Sequence, residues 1–320
     1  TANNFGGFLE AAFTSVSAVC VTGLSTVDVP TYWTPFGHLM ILLMIKVGGF
    51  GIITFALFLG ILLARRIGLN TRMVGSAEMP GMDGGNPKRL ILKLFIATSL
   101  FEFIVATFIT CRLWLGYGYD LPEAIWYGIF HAVSAFNNAG FALYSDSLMG
   151  FASDGWMLMP LNFAVIIGGL GFPVLFELGR RIIGRVKASQ IGGVIESALH
   201  WTLSTRLVLW STLVLLTFGT LYFAFIEWNN PATIGDMGFG EKLLNSFTQS
   251  VQPRTAGFNS VDLGQVYPAT LMGMDLLMFI GGGSASTAGG IKLTTAAVLI
   301  FIVWTEIRGE TAVNVGSRRL

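Results

Sequence analysis

FTSVSAVCVTGLS (13–25), FHAVSAFNNAGFA (130–142) and FTQSVQPRTAGFN (247–259) lie over one another without a gap. In each, a Phe stands ten residues before a Gly, and Gly23, Gly140 and Gly257 are 117 residues apart, 140 − 23 and 257 − 140 alike. Each stretch runs on through polar residues into an apolar segment with a glycine pair: Gly48–Gly49, Gly168–Gly169 and Gly281–Gly282. An equal period of this length marks an internal repeat. Packing glycines of the GxxxG kind need no such period, although close helix packing is the reading for Gly48–Gly49 and Gly168–Gly169.

Working outward, the chain is 53% hydrophobic, only 12% charged, and has a mean hydropathy of +0.68 over 320 residues. Soluble domains carry about 25% charge. Residues 40–64 hold one charge, Lys46; 95–110 hold one, Glu102; 207–226 hold none; and 293–304 are apolar but for two threonines. Apolar runs of about 20 residues suit a bilayer crossing, and helices satisfy their own backbone there. The expected fold is an all-α integral membrane protein. Its repeated unit is outer helix, short pore helix, glycine segment and inner helix.

Each Phe-to-Gly stretch is too short to cross a bilayer and reads as re-entrant. A helix of about seven residues drops inward, and the chain returns extended through Val21-Thr22-Gly23, Asn138-Ala139-Gly140 and Thr255-Ala256-Gly257. Irregular backbone at membrane depth survives when it is buried in protein or lines water. Glycine can turn its carbonyl inward without a side-chain penalty, and a ring of carbonyls replaces the hydration shell of potassium. These nine residues are the expected selectivity filter, with K⁺ as the transported ion held by backbone carbonyls alone.

The layout then places inner helix one at about 35–64, outer helix two at 90–115 and pore helix two at 122–136. Inner helix two follows at 156–178, outer helix three at 205–228 and pore helix three at 242–251. The third inner helix opens near Pro268 and is interrupted. Gly281-Gly282-Gly283-Ser284-Ala285-Ser286-Thr287-Ala288-Gly289-Gly290 holds five glycines in ten residues, each costing a helix about 1 kcal/mol. Ser284, Ser286 and Thr287 are expected to satisfy the freed backbone groups. The position below the third glycine segment makes 281–290 a gate candidate. A phosphate-binding loop does not fit: Ile291 separates Gly290 from Lys292, Leu293 follows Lys292, and no strand precedes the loop.

Charge gives the orientation. Arg65, Arg66, Arg72, Lys88, Arg89 and Lys93 fall in one connection, Arg180, Arg181, Arg185, Lys187 and Arg206 in another, and Arg308, Arg318 and Arg319 near the end. The alternate connections carry Glu10, Asp28, Asp120, Glu123, Asp146, Asp154, Glu227, Asp236, Glu241 and Asp262. The basic side is expected in the cytoplasm, leaving an acidic outer face that concentrates cations. Lys46, about 16 Å past Pro35 along a helix, is a functional candidate as a charge inside the membrane. Lys292 is expected to anchor the gate loop or repel cations, or else to snorkel; Arg254 is expected to brace the third pore loop, and Asp275 to partner a lysine. Cys20, Cys111, His38, His131 and His200 have no metal-site or disulfide spacing. No nucleophile–base constellation suggests an enzyme.

With these residues in hand, VTGLSTVD (21–28), MIKVGGFGI (44–52), SAFNNAGF (134–141), PRTAGFNSVDL (253–263) and above all GGGSASTAGGIK (281–292) resemble the Trk/Ktr/HKT potassium-transporter superfamily, nearest its KtrB type. The resemblance covers essentially the whole chain. It implies that Gly23, Gly140 and Gly257 are filter glycines and that 281–290 is an intramembrane gating loop. It further implies potassium uptake in a bacterial plasma membrane by a homodimer with one pore per protomer. A cytosolic ring of KtrA-like subunits binding ATP or ADP is the implied partner, no nucleic acid is, and Na⁺ is an implied activator. Two departures stand out: Lys46 occupies a place where Gln is typical, and four pore units are expected where three are seen. The expected organisation is 1–66 as unit one without its outer helix, 67–89 as a cytoplasmic loop, 90–187 as unit two and 188–320 as unit three. A fourth unit is expected beyond 320, with about 25 residues before Thr1 and roughly 100 or more after Leu320. The alternative is a secondary transporter whose broken helices carry another small substrate.

Overall fold

The computed structural model describes residues 7–66, 87–191 and 201–309, with 314–315 and 318–319. The expected loop 67–89 lies outside the described residues apart from 87–89, and His200 lies outside them too. In chain order the helices are α1 (Phe8–Val19), α2 (Val29–Tyr32), α3 (Pro35–Arg66), α4 (Pro87–Gly116), α5 (Leu121–Phe136), α6 (Gly155–Leu170), α7 (Phe172–Ile191), α8 (Leu203–Glu227), α9 (Phe239–Val251), α10 (Pro268–Phe279) and α11 (Leu293–Arg308). A two-residue antiparallel pairing, Asn314–Val315 with Arg318–Arg319, follows.

The helix ends follow from local chemistry. Pro122 in the first turn of α5, after extended Asp120, uses the position where a missing N–H costs nothing. Thr202 caps α8, its Oγ1 accepting from Thr205 N at 3.2 Å. Gly309 closes α11 in the left-handed conformation, φ +67°. Among the described residues, Leu92–Gly116 and Leu203–Glu227 are long and apolar enough to cross a membrane. Both turn large apolar side chains outward: Phe103, Trp210, Leu221 and Phe225 are all more than half exposed. Such outward faces suit lipid as solvent.

The short helices sit inside this wall. α5 packs against α4 and α6, α9 against α8, and α1 against α3. The main core gathers Ile109, Leu113, Phe136, Met157, Leu158 and Leu161, and a second gathers Ile41, Ile45, Phe130 and Val133. Helix α9 buries polar residues instead, and its hydroxyls find carbonyl acceptors: Ser246 Oγ donates to Lys242 O at 2.7 Å and Ser250 Oγ to Leu216 O of α8 at 2.9 Å.

Three expectations change. α1, α5 and α9 are longer than the seven residues counted from each Phe, at 12, 16 and 13, because each starts upstream of its Phe; α5 and α9 lie close to the expected 122–136 and 242–251. The helix expected at 156–178 is two helices, α6 and α7, bent by 105°. Gly171 between them has φ +91°, and a Cβ there would strike the Ser284 carbonyl oxygen, so contact with the 281–290 loop sets the bend. Pro173, directly after the break, was the sequence signal. Finally, the three returning segments are not extended.

Candidate functional site

Positive φ recurs in step at the ends of α1, α5 and α9. Val21 has φ 55° and Gly23 79°; Asn138 has 57° and Gly140 71°; Thr255 has 80° and Gly257 90°. The first position of each turn was not legible, since Val and Thr strongly disfavour this region. Main-chain bonds fold each turn back onto its helix end: Thr22 N donates to Ser17 O and Ala139 N to Ser134 O, both at 2.8 Å. In the third, Ala256 N and Gly257 N both reach Gln252 O at 3.0 Å.

The turns also nest against one another. A Cβ on Gly23 would collide with the Ala139 carbonyl oxygen, and one on Gly140 with the Ala256 carbonyl oxygen. Only glycine lets these backbones approach so closely. Gly257 comes next in this succession, and among the described residues its nearest neighbour in that direction is Gly140 Cα at 4.0 Å. The structure therefore brings all nine expected filter residues into one succession of turns. Gly48 and Gly168 lie directly behind, against the carbonyls of Val19 and Phe136 that end the short helices.

A buried polar frame holds the turns from behind. Gln252 Nε2 donates to Asn162 Oδ1 at 2.8 Å, and Asn162 Nδ2 donates to Thr248 Oγ1 at 2.8 Å. Gln252 Oε1 accepts from Phe258 N at 3.3 Å. Ser134 Oγ donates to Phe141 O at 2.7 Å. His131, fully buried, places Nδ1 by Tyr127 O at 2.8 Å and accepts from Leu143 N at Nε2, 3.2 Å. The proton therefore sits on Nδ1. Asn138, with its amide nitrogen inward, donates to Ala135 O and Val165 O.

The 281–290 segment is a loop closed at its neck. Gly281 N donates to Ile291 O at 3.0 Å, Ile291 N to Phe279 O at 3.1 Å and Leu293 N to Gly282 O at 2.9 Å. Its body is fixed to the bend of α6 and α7: Gly283 N to Gly169 O at 2.8 Å, Thr287 N to Gly168 O at 3.3 Å, and Phe172 N to Ala285 O at 3.2 Å. It also touches the end of α5 and the third turn. Thr287 Oγ1 donates to Phe136 O at 3.2 Å and Gly289 N to Thr255 Oγ1 at 3.3 Å. Ser284 pairs with Thr294 at 3.0 Å. The expected backbone role is not met by Ser284, whose partner is a side chain, and fails for Ser286, whose Oγ faces Gly282 and has no partner among the described residues.

Of the singled-out charges, Lys292 Nζ donates to Ala288 O at 2.6 Å and so ties the loop down. Lys46 pairs with Glu102 at 2.5 Å; the sequence signal was one charge of opposite sign in each of two apolar runs. Arg254 is buried by the third turn, and its Nε has no acceptor among the described residues. Asp275 is exposed on α10 and, against expectation, joins none of the ion pairs among the described residues. Glu227, expected among the acids of the outer face, is instead wholly buried, and accepts from Asn230 Nδ2 at 2.6 Å, Thr233 Oγ1 at 2.9 Å, Tyr267 N at 2.9 Å and Thr270 Oγ1. Among the described residues no three His, Cys, Asp or Glu side chains converge.

Residues 3–320 match the family model described as TrkH, cation transport protein. The chain is 39% identical over 303 residues to the Ktr system potassium uptake protein B of Bacillus subtilis, covering 95% of this chain and 64% of that protein. It is 36% identical to the Vibrio alginolyticus protein of the same name, covering 93% and 63%. The potassium/sodium uptake protein NtpJ of Enterococcus hirae is 33% identical, covering 98% and 66%. The chain thus spans somewhat under two thirds of the length of these curated relatives. In fold it is similar to the crystal structure of the potassium transporter TrkH from Vibrio parahaemolyticus, with a TM-score of 0.66, 19% identity, and coverage of 97% of this chain and 59% of that one.

Proposed function

The chain belongs to the TrkH family of cation transport proteins, a family of transporters rather than enzymes, and from that premise we propose that it forms most of a potassium-selective pore. The observation that carries this reading is the nesting of the turns, Gly23 against the Ala139 carbonyl and Gly140 against the Ala256 carbonyl. In the proposed pore, Val21–Gly23, Asn138–Gly140 and Thr255–Gly257 are three sides of a pseudo-fourfold carbonyl filter that replaces the water of K⁺. Each side belongs to one unit, 1–66, 90–187 or 188–320, joined by the cytoplasmic loop 67–89. The fourth side comes from outside these residues.

Loop 281–290 is the proposed gate, held closed at its neck and anchored by Lys292. The protein works in a bacterial plasma membrane, basic connections inward, as a homodimer regulated by cytosolic nucleotide-binding subunits. The relatives named for a Ktr system support a multi-component assembly. Sodium is proposed as an activator, supported by the name of the E. hirae relative. The test is ion flux through the full-length protein in membranes lacking other potassium uptake. Gly140→Ser is expected to lower the K⁺/Na⁺ ratio about tenfold or more, and an unchanged ratio would remove the filter assignment.

A further inference from the structure

The Lys46–Glu102 pair stands beside the second turn and is unexplained by carbonyl coordination alone. Lys46 of α3 is about one fifth exposed and Glu102 of α4 less than one tenth. The ammonium has further oxygens nearby, Thr98 Oγ1 and Ser99 Oγ at 3.4 Å each, and lies over the Phe95 ring at 5.3 Å. Lys46 engages one carboxylate oxygen, Oε2. The other, Oε1, accepts from Asn137 Nδ2 at 3.0 Å.

Asn137 is the residue at which α5 ends and directly precedes Asn138, where φ turns positive. Its Nδ2 also reaches Val133 O at 2.9 Å. Its Oδ1 fills the space beside Gly49, where a Cβ would collide with it. Lys46 and Gly49 sit three residues apart on α3, so one face of that helix supports both ends of the contact. Two helices therefore close on one amide at the entrance to the second turn.

The chemistry explains why an ion pair stands here. A carboxylate is a stronger acceptor than an amide oxygen, so it fixes Asn137 more firmly. An unpaired buried carboxylate near the path would itself attract cations and carry the full desolvation cost of a buried charge. Lys46 removes that net charge while leaving Oε1 free to accept. Resting on the filter reading above, we propose that Lys46 and Glu102 are positioning residues for selectivity, which hold the second filter segment in its potassium-preferring geometry by clamping Asn137.

The experiment measures K⁺/Na⁺ flux ratios in the full-length protein carrying two paired replacements. K46M/E102L removes both charges and the acceptor, and is expected to lower the ratio about tenfold, the order of one hydrogen bond to a charged group. K46Q/E102Q removes the charges but keeps an amide oxygen for Asn137, and is expected to retain most of the ratio. Gly49→Ala reaches the same amide by a route that spares the pair and is expected to lower the ratio as well. An unchanged ratio in folded K46M/E102L overturns the proposal, and so does equal loss in both paired variants. If K46M/E102L does not fold, an unchanged ratio in folded Gly49→Ala overturns it instead. Gly140→Ser, run alongside, separates the two claims: selectivity lost there but kept in K46M/E102L sinks only this inference, whereas selectivity kept in Gly140→Ser sinks the filter.

Discussion

Val21, Asn138 and Thr255 hold positive φ with full side chains, at about 1–3 kcal/mol each. The frame of buried hydrogen bonds behind them makes that cost tolerable, because it leaves the turns no lower-energy alternative that keeps their main-chain donors paired. Val21→Gly should therefore fold at least as stably as the unmodified protein while discriminating K⁺ from Na⁺ less well, which thermal unfolding and paired flux ratios can check. Glu227 illustrates the opposite economy. It receives four hydrogen bonds and joins none of the ion pairs among the described residues, and those bonds draw the end of α8, the following turn and the start of α10 together. Glu227→Ala leaves those donors unpaired in a buried place and should cost at least about 2 kcal/mol. An unfolding temperature matching the unmodified protein would count against this.

Among the elements, the loop 281–290 and the bend between α6 and α7 form one mechanical piece, since three main-chain bonds join them. Shortening the loop should raise potassium flux if it obstructs the path, and flux that stays level or falls would speak against obstruction. At the start of α9, Glu241 receives the Gly238 N–H at 2.9 Å, and that bond, with Ser153 adding to it, holds the carboxyl below its ordinary 4.5. A depressed value means its contribution is complete above pH 4.5 and fades as pH falls through the lowered value. Glu241→Gln should flatten that part of the acid-side stability curve and leave the neutral side nearly parallel. How much of this could be read beforehand depends on where each cause lies in the chain. The break in the third inner helix was legible because its five glycines are contiguous with it. The bend at Gly171 left only the local trace of Pro173, because the contact that sets it is with Ser284, far along the chain. Lys46 and Glu102 were each visible as lone charges, but nothing local said that they meet. The strained first positions of the turns were hidden because Val and Thr locally favour extended backbone.

For the whole molecule, the succession Gly23 to Ala139, then Gly140 to Ala256, stops at Gly257, where the described residues leave room. In the full-length protein Gly257→Ala should harm selectivity as much as Gly140→Ala. Equal flux ratios in Gly257→Ala and the parent would mean that no further carbonyl faces it. The same nesting has a direction. A side chain added at Gly23 pushes on the second segment, and one added at Gly140 pushes on the third, yet neither pushes back on the segment before it. Injury therefore travels one way around the proposed pore, like a fallen tile in an overlapping row. Ion occupancy mapped in a Gly23 variant should be disturbed most on the side contributed by Asn138–Gly140, one place downstream of the altered residue.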